Sequence, residues 1–529
     1  MRKTIIGGIL ALLFVPLGLM AQSNEDLMKQ IAALKQQLQA LEQKVNTQQQ
    51  AAPAPEQQVK DLDARLVKVE TKTASDNISW GGDVRVRFDN QSWHINPYQQ
   101  VVGFDPHTGM PITQQVPGQD WSNADQWSER LRLKMAAQIT PNLRFMGRLT
   151  MYQLFGGADV PIFNGSPNTV STSFNSAKVP GGDVLHVERA LLRYDFPHAP
   201  FTIAFGRMNT SDGTPLEIKD ESEREGTPMA IMVNAEVDGV HADWHMDRLG
   251  LPEGTTLGIC AGIGYESGFG GGGQTNLSYT MTPYGAGSIN GMRDTTVAGF
   301  IYDMPLLFQA GNTINSARFM LGFNYFGNMT DIPYGNLINF PIPGPYAQSS
   351  SQYVTGTKNL GNMQQWGLVW EHTINDKFSY FLSGGYIKSF PNGQVSQYGF
   401  GGLLGNPYQS ESGTAYYAGF KYKPTEHWAV GVEFNHGSPN WFTYTPDAGS
   451  PEAKLSTRGS VWEAYAHYII NKNFLLKVGY TNYDYSTAFS GWHIAPAPLS
   501  YYNLDNNSVN FYPFPKTVKD VYFSVEARW

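Results

Sequence analysis

Residues 518–529 read "VKDVYFSVEARW". Val521, Phe523, Val525, Ala527 and Trp529 fall on one side of a period-two pattern, and Tyr522, Ser524, Glu526 and Arg528 fall on the other. At the end of a soluble chain such a strand would be an exposed, sticky edge. In a barrel closed within lipid the same strand pairs with the first one and turns its apolar side to the bilayer. The stretch therefore predicts an antiparallel outer-membrane β-barrel.

Composition agrees. The 529 residues are 41% hydrophobic and 13% aromatic, with 55 Gly, and no apolar run past residue 21 approaches the length of a spanning helix. Strands that show lipid only every second side chain give this profile. A formal net charge of −8 argues against a nucleic-acid binder. Cys260 is the only cysteine, which excludes a disulfide framework, a lipid anchor on an N-terminal Cys and a Cys-x-x-Cys-His haem site.

The first 21 residues read as a secretory leader, with Arg2 and Lys3, an apolar stretch Ile5–Leu19 and a cleavage site at Leu19-Met20-Ala21. Residues 22–76 are rich in Gln. There Leu27, Ile31, Leu34, Leu38, Leu41 and Val45 recur at alternating steps of four and three, and Val59, Leu62, Leu66 and Val69 resume the pattern. This is a heptad seam, expected to form a short periplasmic coiled coil with a hinge at Pro53 and Pro55. An amphipathic helix lying on the barrel is the alternative. A homo-oligomer follows from the coiled coil, and a trimer by analogy with other barrels of this kind.

From residue 77 the period is two. "ISWGGDVRVRF" sets Ile78, Trp80, Val84, Val86 and Phe88 against Asp83, Arg85 and Arg87, and "WSERLRLKMAAQI" sets Leu131, Leu133 and Met135 against Arg130, Arg132 and Lys134. After the turn "TPN" (140–142), Leu143, Phe145, Leu149 and Met151 oppose Arg144 and Arg148. Seven tight connections alternate with eight long stretches rich in Gly, Pro, Asn and Ser, near 89–124, 156–183, 210–228, 267–293, 328–360, 390–412, 437–458 and 486–515. Sixteen strands result, the layout of a bacterial outer-membrane barrel with short periplasmic turns. A soluble sandwich or propeller explains neither the terminal aromatic residue nor the placement of the basic residues. Trp80, Trp428 and Trp529 suit the periplasmic aromatic girdle.

An arginine turned into hydrocarbon would cost about 2–4 kcal/mol near the bilayer midplane. Arg85, Arg87, Arg130, Arg132, Lys134, Arg144 and Arg148 share one parity and are expected inside, as a basic wall that Arg189 and Arg193 extend. Close like charges need water, counter-ions or an acidic partner. The third long loop, "NTSDGTPLEIKDESEREGTP" (209–228), offers Asp212, Glu217, Asp220, Glu221, Glu223 and Glu225. Folded inward as a constriction, it would face the wall and set up a transverse field favouring small polar or charged solutes. Arg207 shares parity with Phe201, Ile203 and Phe205 and is expected beyond the lipid zone or at a bulge. His241 and His245 lie too far apart along one strand to share an ion unaided, "GFGGGG" (268–273) lacks the Lys of a phosphate loop, and no Ser/His/Asp spacing marks a hydrolase.

The coiled coil together with "SWGGDVRVRFD", "ERLRLKMAAQITPNLRFMGRLTMY", "VERALLRYDF" and "GRMNTSDGTP…ESEREGTP" resembles an uncharacterised porin-like family of outer-membrane proteins of anaerobic and metal-reducing bacteria. The resemblance is densest over 78–240 and brings no catalytic residues. It implies a second role, a sleeve around a multihaem cytochrome that carries electrons across the outer membrane. The first reading is a porin, neither an enzyme nor a cofactor carrier, which lets small hydrophilic solutes or ions diffuse passively. Replacing Arg130, Arg132 and Arg144 with Glu is expected to move the reversal potential of a reconstituted channel toward cation preference. An unchanged potential would count against a basic wall along the path.

Overall fold

The computed structural model describes residues 35–37, 39–40, 78–108, 111–156, 182–209, 212–234, 236–265, 293–310, 313–330, 336–338, 352–354, 358–395, 401–444, 453–495 and 515–529. The predicted leader, the heptad seam with its proline hinge and the 268–273 glycine run lie outside the described residues. Residues 35–37 and 39–40 are helical and exposed.

Alternation over 78–529 builds sixteen barrel strands. In chain order they are β1 (Ile78–Ile95), β2 (Gln119–Thr140), β3 (Leu143–Leu154), β4 (Gly182–Asp195), β5 (Phe201–Asn209), β6 (Glu236–His245), β7 (Thr256–Tyr265) and β8 (Thr295–Ala310). There follow β9 (Thr313–Thr330), β10 (Asn359–Ile374), β11 (Phe378–Pro391), β12 (Ser412–Tyr422), β13 (Trp428–Gly437), β14 (Gly459–Asn471), β15 (Phe474–Tyr485) and β16 (Pro515–Arg528). Each strand pairs antiparallel with its chain neighbours, and β16 closes the cylinder on β1. Arg85 faces Glu526 and Val86 faces Val525 across that closing pair, and the Trp529 amide and carbonyl bond the Gly82 carbonyl and amide, both at 3.1 Å. Closure satisfies every strand edge within the sheet, as lipid demands.

The eight long connections are 96–118, 155–181, 210–235, 266–294, 331–358, 392–411, 438–458 and 486–514. They match the stretches marked out by Gly, Pro, Asn and Ser, with one informative exception. The third loop, L3, runs on to residue 235 and takes in "MAIMV" (229–233), which a strand was expected to begin. An unbroken apolar run has no polar alternate to turn toward the lumen, so it cannot serve as a one-sided strand. It is buried on all sides instead, with Met229, Ala230 and Met232 at 0% exposure.

The outward faces are apolar, with Ile259, Leu382 and Val478 among the exposed side chains. Aromatic residues mark both ends of this belt. Phe201 stacks on Trp244 and Phe378 on Phe420 at the short-turn end, where Trp80, Trp428 and Trp529 are also exposed. Phe88–Trp127, Tyr416–Phe434 and Trp462–Tyr480 pair nearer the long loops. Such girdles sit at the two water–lipid boundaries of a membrane barrel.

Inside, polar-inward alternation holds only in part. Val369, Phe381, Ile387, Tyr417, Val461, Tyr483 and Val518 face the lumen and are buried. The chain's own loops cover them: Met229–Val233 of L3, Trp441 and Phe442 of the seventh loop, Phe489 and Trp492 of the eighth. Arg458 locks the last two together, donating to the carbonyls of Trp441, Ala488 and Trp492 at 2.8–3.1 Å.

The β1–β16 seam depends on close approach at Gly82. A Cβ there would lie 2.3 Å from the Arg132 carbonyl oxygen and 2.7 Å from the Trp529 ring. Gly82→Leu is expected to destabilise the barrel by about 1–3 kcal/mol, the usual range for overpacking. Gly103→Leu, with nothing within 4 Å of the new Cβ, should change stability little. Urea unfolding followed by tryptophan fluorescence compares the two.

Candidate functional site: the third loop across the lumen

Register stacks the basic residues. Lys134 lies opposite Arg148, Arg148 opposite Arg189, and Arg85 opposite Arg130. Like charges directly opposite are destabilising, and buried charge without a partner is far worse. Arg148 is completely buried, yet its guanidinium meets Glu188 at 2.7 Å, Asp212 at 3.2 Å and the Glu225 carboxylate. Arg132 pairs with Asp212 at 3.0 Å, Lys134 reaches Glu225, and Arg189 donates to the Glu225 carbonyl at 3.0 Å. Arg130 pairs with Asp83 at 2.7 Å, and Arg87 with Asp89 at 2.7 Å and Asp520 at 3.0 Å. Wall and acids are thus in direct contact, where the sequence suggested an acidic loop facing the wall across a constriction.

Two members of the expected wall stand apart. Arg144 is exposed and donates to Gln138 at 3.2 Å, while Arg193 is half-exposed and pairs with Asp195 at 3.1 Å. Both face inward but sit beside the short turns, at the rim of the barrel. Parity could assign their face and not their depth.

L3 reaches the opposite wall as well. One turn of helix, α1 (Leu216–Asp220), ends where Glu221 adopts a left-handed conformation at φ 51°. This presents Lys219, Asp220 and Glu221 in succession. Lys219 pairs with Glu463 at 2.8 Å, Asp220 with Lys477 at 3.1 Å, and Glu221 with Lys421 at 2.7 Å and Lys423 at 2.8 Å. Arg528 donates to the carbonyls of Asp220 and Glu221 at 2.6 Å. Arg224 extends to a third side and pairs with Asp303 at 2.8 Å, near Glu217. Glu223 is exposed into a lumen cavity.

The loop's second half is anchored by packing. Asn234 donates to the Tyr444 carbonyl at 2.6 Å, and Gln365 to the Met232 carbonyl at 2.9 Å. Gly322 and Gly367 on the wall make room for the methionines; a Cβ at Gly367 would lie 2.4 Å from Met232. Sequence reading named the acids of L3 together with Lys219 and Arg224, but missed the loop's wall partners Lys421, Lys477, Glu463 and Asp303. The inward parity of those partners was the available signal.

Two polar cavities flank α1. One, of about 400 Å³, lies at the short-turn end, where Gly82, Lys472, Asn473 and Trp529 form part of its lining. The other, of about 50 Å³, includes Lys219, Tyr417, Glu433 and Lys454. Arg85, Arg130, Asp212 and Asp220 line both, so the polar space narrows between α1 and the β1–β2 wall. Arg207 faces outward and forms a two-point ion pair with Asp238 at 2.7 and 2.8 Å, beside Gly206 at φ +124°. His241 contacts Asp243, and His245 contacts Thr202, both at 2.8 Å.

A closed sixteen-stranded barrel with an apolar exterior, two aromatic girdles and a charged lumen is an outer-membrane β-barrel of the channel type. Within that class the chain belongs to the family described as protein of unknown function (DUF3373), which matches residues 120–529. No curated protein matches it. Among solved structures, Pseudomonas putida OprB at high pH is 8% identical, with 87% of this chain and 96% of that chain covered and a TM-score of 0.43. Salmonella typhi OmpF in complex with daunomycin is 12% identical, with 85% and 97% covered and a TM-score of 0.39. Outer-membrane expressed OmpT of Vibrio cholerae is 10% identical, with 85% and 97% covered and a TM-score of 0.38.

Arg148 tests the charge cluster. Arg148→Met leaves Glu188 and its neighbours without their shared cation, and is expected to lower stability by about 3–5 kcal/mol, as breaking a buried pair does. Adding Glu188→Gln should recover part of that loss, since it removes one stranded charge. Urea midpoints of the wild type and both variants decide.

Proposed function

We propose that this protein is an outer-membrane channel through which small hydrophilic solutes or ions diffuse passively, with L3 as its constriction. The observation that carries this reading is the loop itself, tied to facing walls of the lumen by ion pairs of 2.7–3.2 Å. A sixteen-stranded barrel without an inserted loop would hold a wide aqueous channel. With L3 in place, the polar space beside α1 is divided into a cavity of about 400 Å³ and one of about 50 Å³. The basic wall and the acids of L3 then set selectivity through mixed charge at close quarters. In this reading the heptad seam between Leu27 and Val69 assembles the barrels from the periplasmic side. A cytochrome sleeve would require L3 and the apolar packing around it to leave the lumen.

Planar-bilayer recording tests the proposal. The wild type is expected to show small, discrete conductance steps, and a variant with 212–234 replaced by a short Gly/Ser linker should conduct several-fold more. Equal conductance in two correctly folded proteins would remove L3 from the path. Silence in both would overturn the channel reading.

A further inference from the structure

On the side of the lumen away from the β1–β2 wall, L3 encloses a different kind of space. A cavity of about 210 Å³ lies between its Glu225–Val233 stretch and the inner faces of β3–β9. The wall here breaks the polar-inward rule: Leu191, Met208, Val237, Val297, Ile301 and Phe326 all face the cavity. Register orders the lining by height. Met208 lies opposite Val237, and Val297 opposite Phe326, at the long-loop end, whereas Thr202 lies opposite Asp243 at the short-turn end. The cavity is therefore amphipathic along the barrel axis, with an apolar roof and a hydrogen-bonding floor.

The floor is already balanced in charge. Arg193 pairs with Asp195 at 3.1 Å, His241 meets Asp243 at 2.8 Å, and Thr202 donates to Asp195 at 2.8 Å. A charged guest would upset these pairs, while a neutral donor or acceptor can join them. Binding pockets for drug-sized ligands run to about 300–1,000 Å³, mostly apolar with a few placed polar groups. We propose that this cavity binds a small, neutral, mostly apolar molecule of about one ring, its single hydrogen-bonding group directed at Thr202, His241 and Asp243. The site shares Glu225 with the larger polar cavity beside α1 but does not depend on conduction through it.

The chain carries its own reporter. Cys260, the only cysteine, lines the cavity opposite His241. Full-length protein in detergent is alkylated with N-ethylmaleimide in the presence of phenol or benzoate. Phenol is expected to slow labelling of Cys260 at least threefold, and benzoate to leave it unchanged. Ala204→Leu, which fills the middle of the cavity, should abolish protection; Val297→Thr, which keeps the volume but makes the roof polar, should weaken it. Saturation-transfer NMR of phenol on the wild type and Val297→Thr reads the same binding if the thiol reacts slowly or Ala204→Leu does not fold. Labelling unaffected by phenol, protection by benzoate equal to that by phenol, or equal transfer in wild type and variant would overturn the proposal. A conductance result of either sign leaves this test intact.

Discussion

Charge cannot face hydrocarbon, and the lumen of this protein follows from that constraint. Alternation along β1–β4 places Arg85, Arg87, Arg130, Arg132, Lys134, Arg148 and Arg189 inside the cylinder. Register then sets several of them directly against one another. Such a cluster must be neutralised within the barrel, because buried charges are tolerated only when paired. Asp83, Asp89, Asp520 and Glu188 supply part of the balance from the wall. Asp212 and Glu225 supply the rest from L3, which draws the loop inward. Once there, α1 meets Lys421, Lys423, Lys477 and Glu463 on the other side and bridges the lumen.

The two halves of L3 are held by different physics. Residues 212–225 are fixed by partly buried ion pairs, which salt screens less than exposed ones. Residues 229–233 are fixed by apolar burial against β9–β10 and the later loops. Displacing the loop would strand charges on two walls and expose the apolar inner faces together. The narrow polar space beside α1 and the apolar cavity beside Glu225–Val233 are two products of one insertion. The first is lined by mixed charge; the second has apolar side chains above and paired polar groups below.

Much of this was legible in the sequence. Period-two patterning in "ISWGGDVRVRF" and "VKDVYFSVEARW" assigned faces correctly, because lipid favours apolar side chains on the outer side. Loop positions followed from Gly, Pro, Asn and Ser. The inner side was less readable, since lumen-facing positions answer to whatever fills the lumen. Val369, Phe381 and Val461 carry no mark in the sequence that says a loop covers them. The run "MAIMV" did carry one, its lack of alternation. The acids of L3 could be named from sequence, but direct contact with the arginines could not. Depth along the strand, which sets Arg144 and Arg193 at the rim, needs the register.

The central claim, that L3 lies across the lumen bonded to both walls, is tested most directly by cross-linking. In a Cys260→Ser background, Asp220→Cys is combined with Lys477→Cys, and separately Asp212→Cys with Arg132→Cys. Each pair is treated with a short bifunctional thiol reagent in native membranes. Both pairs are expected to cross-link within one chain and shift its gel mobility, because their charged atoms lie 3.1 and 3.0 Å apart in the wild type. Failure of both pairs to cross-link in a folded barrel would place the loop outside the lumen and contradict the account.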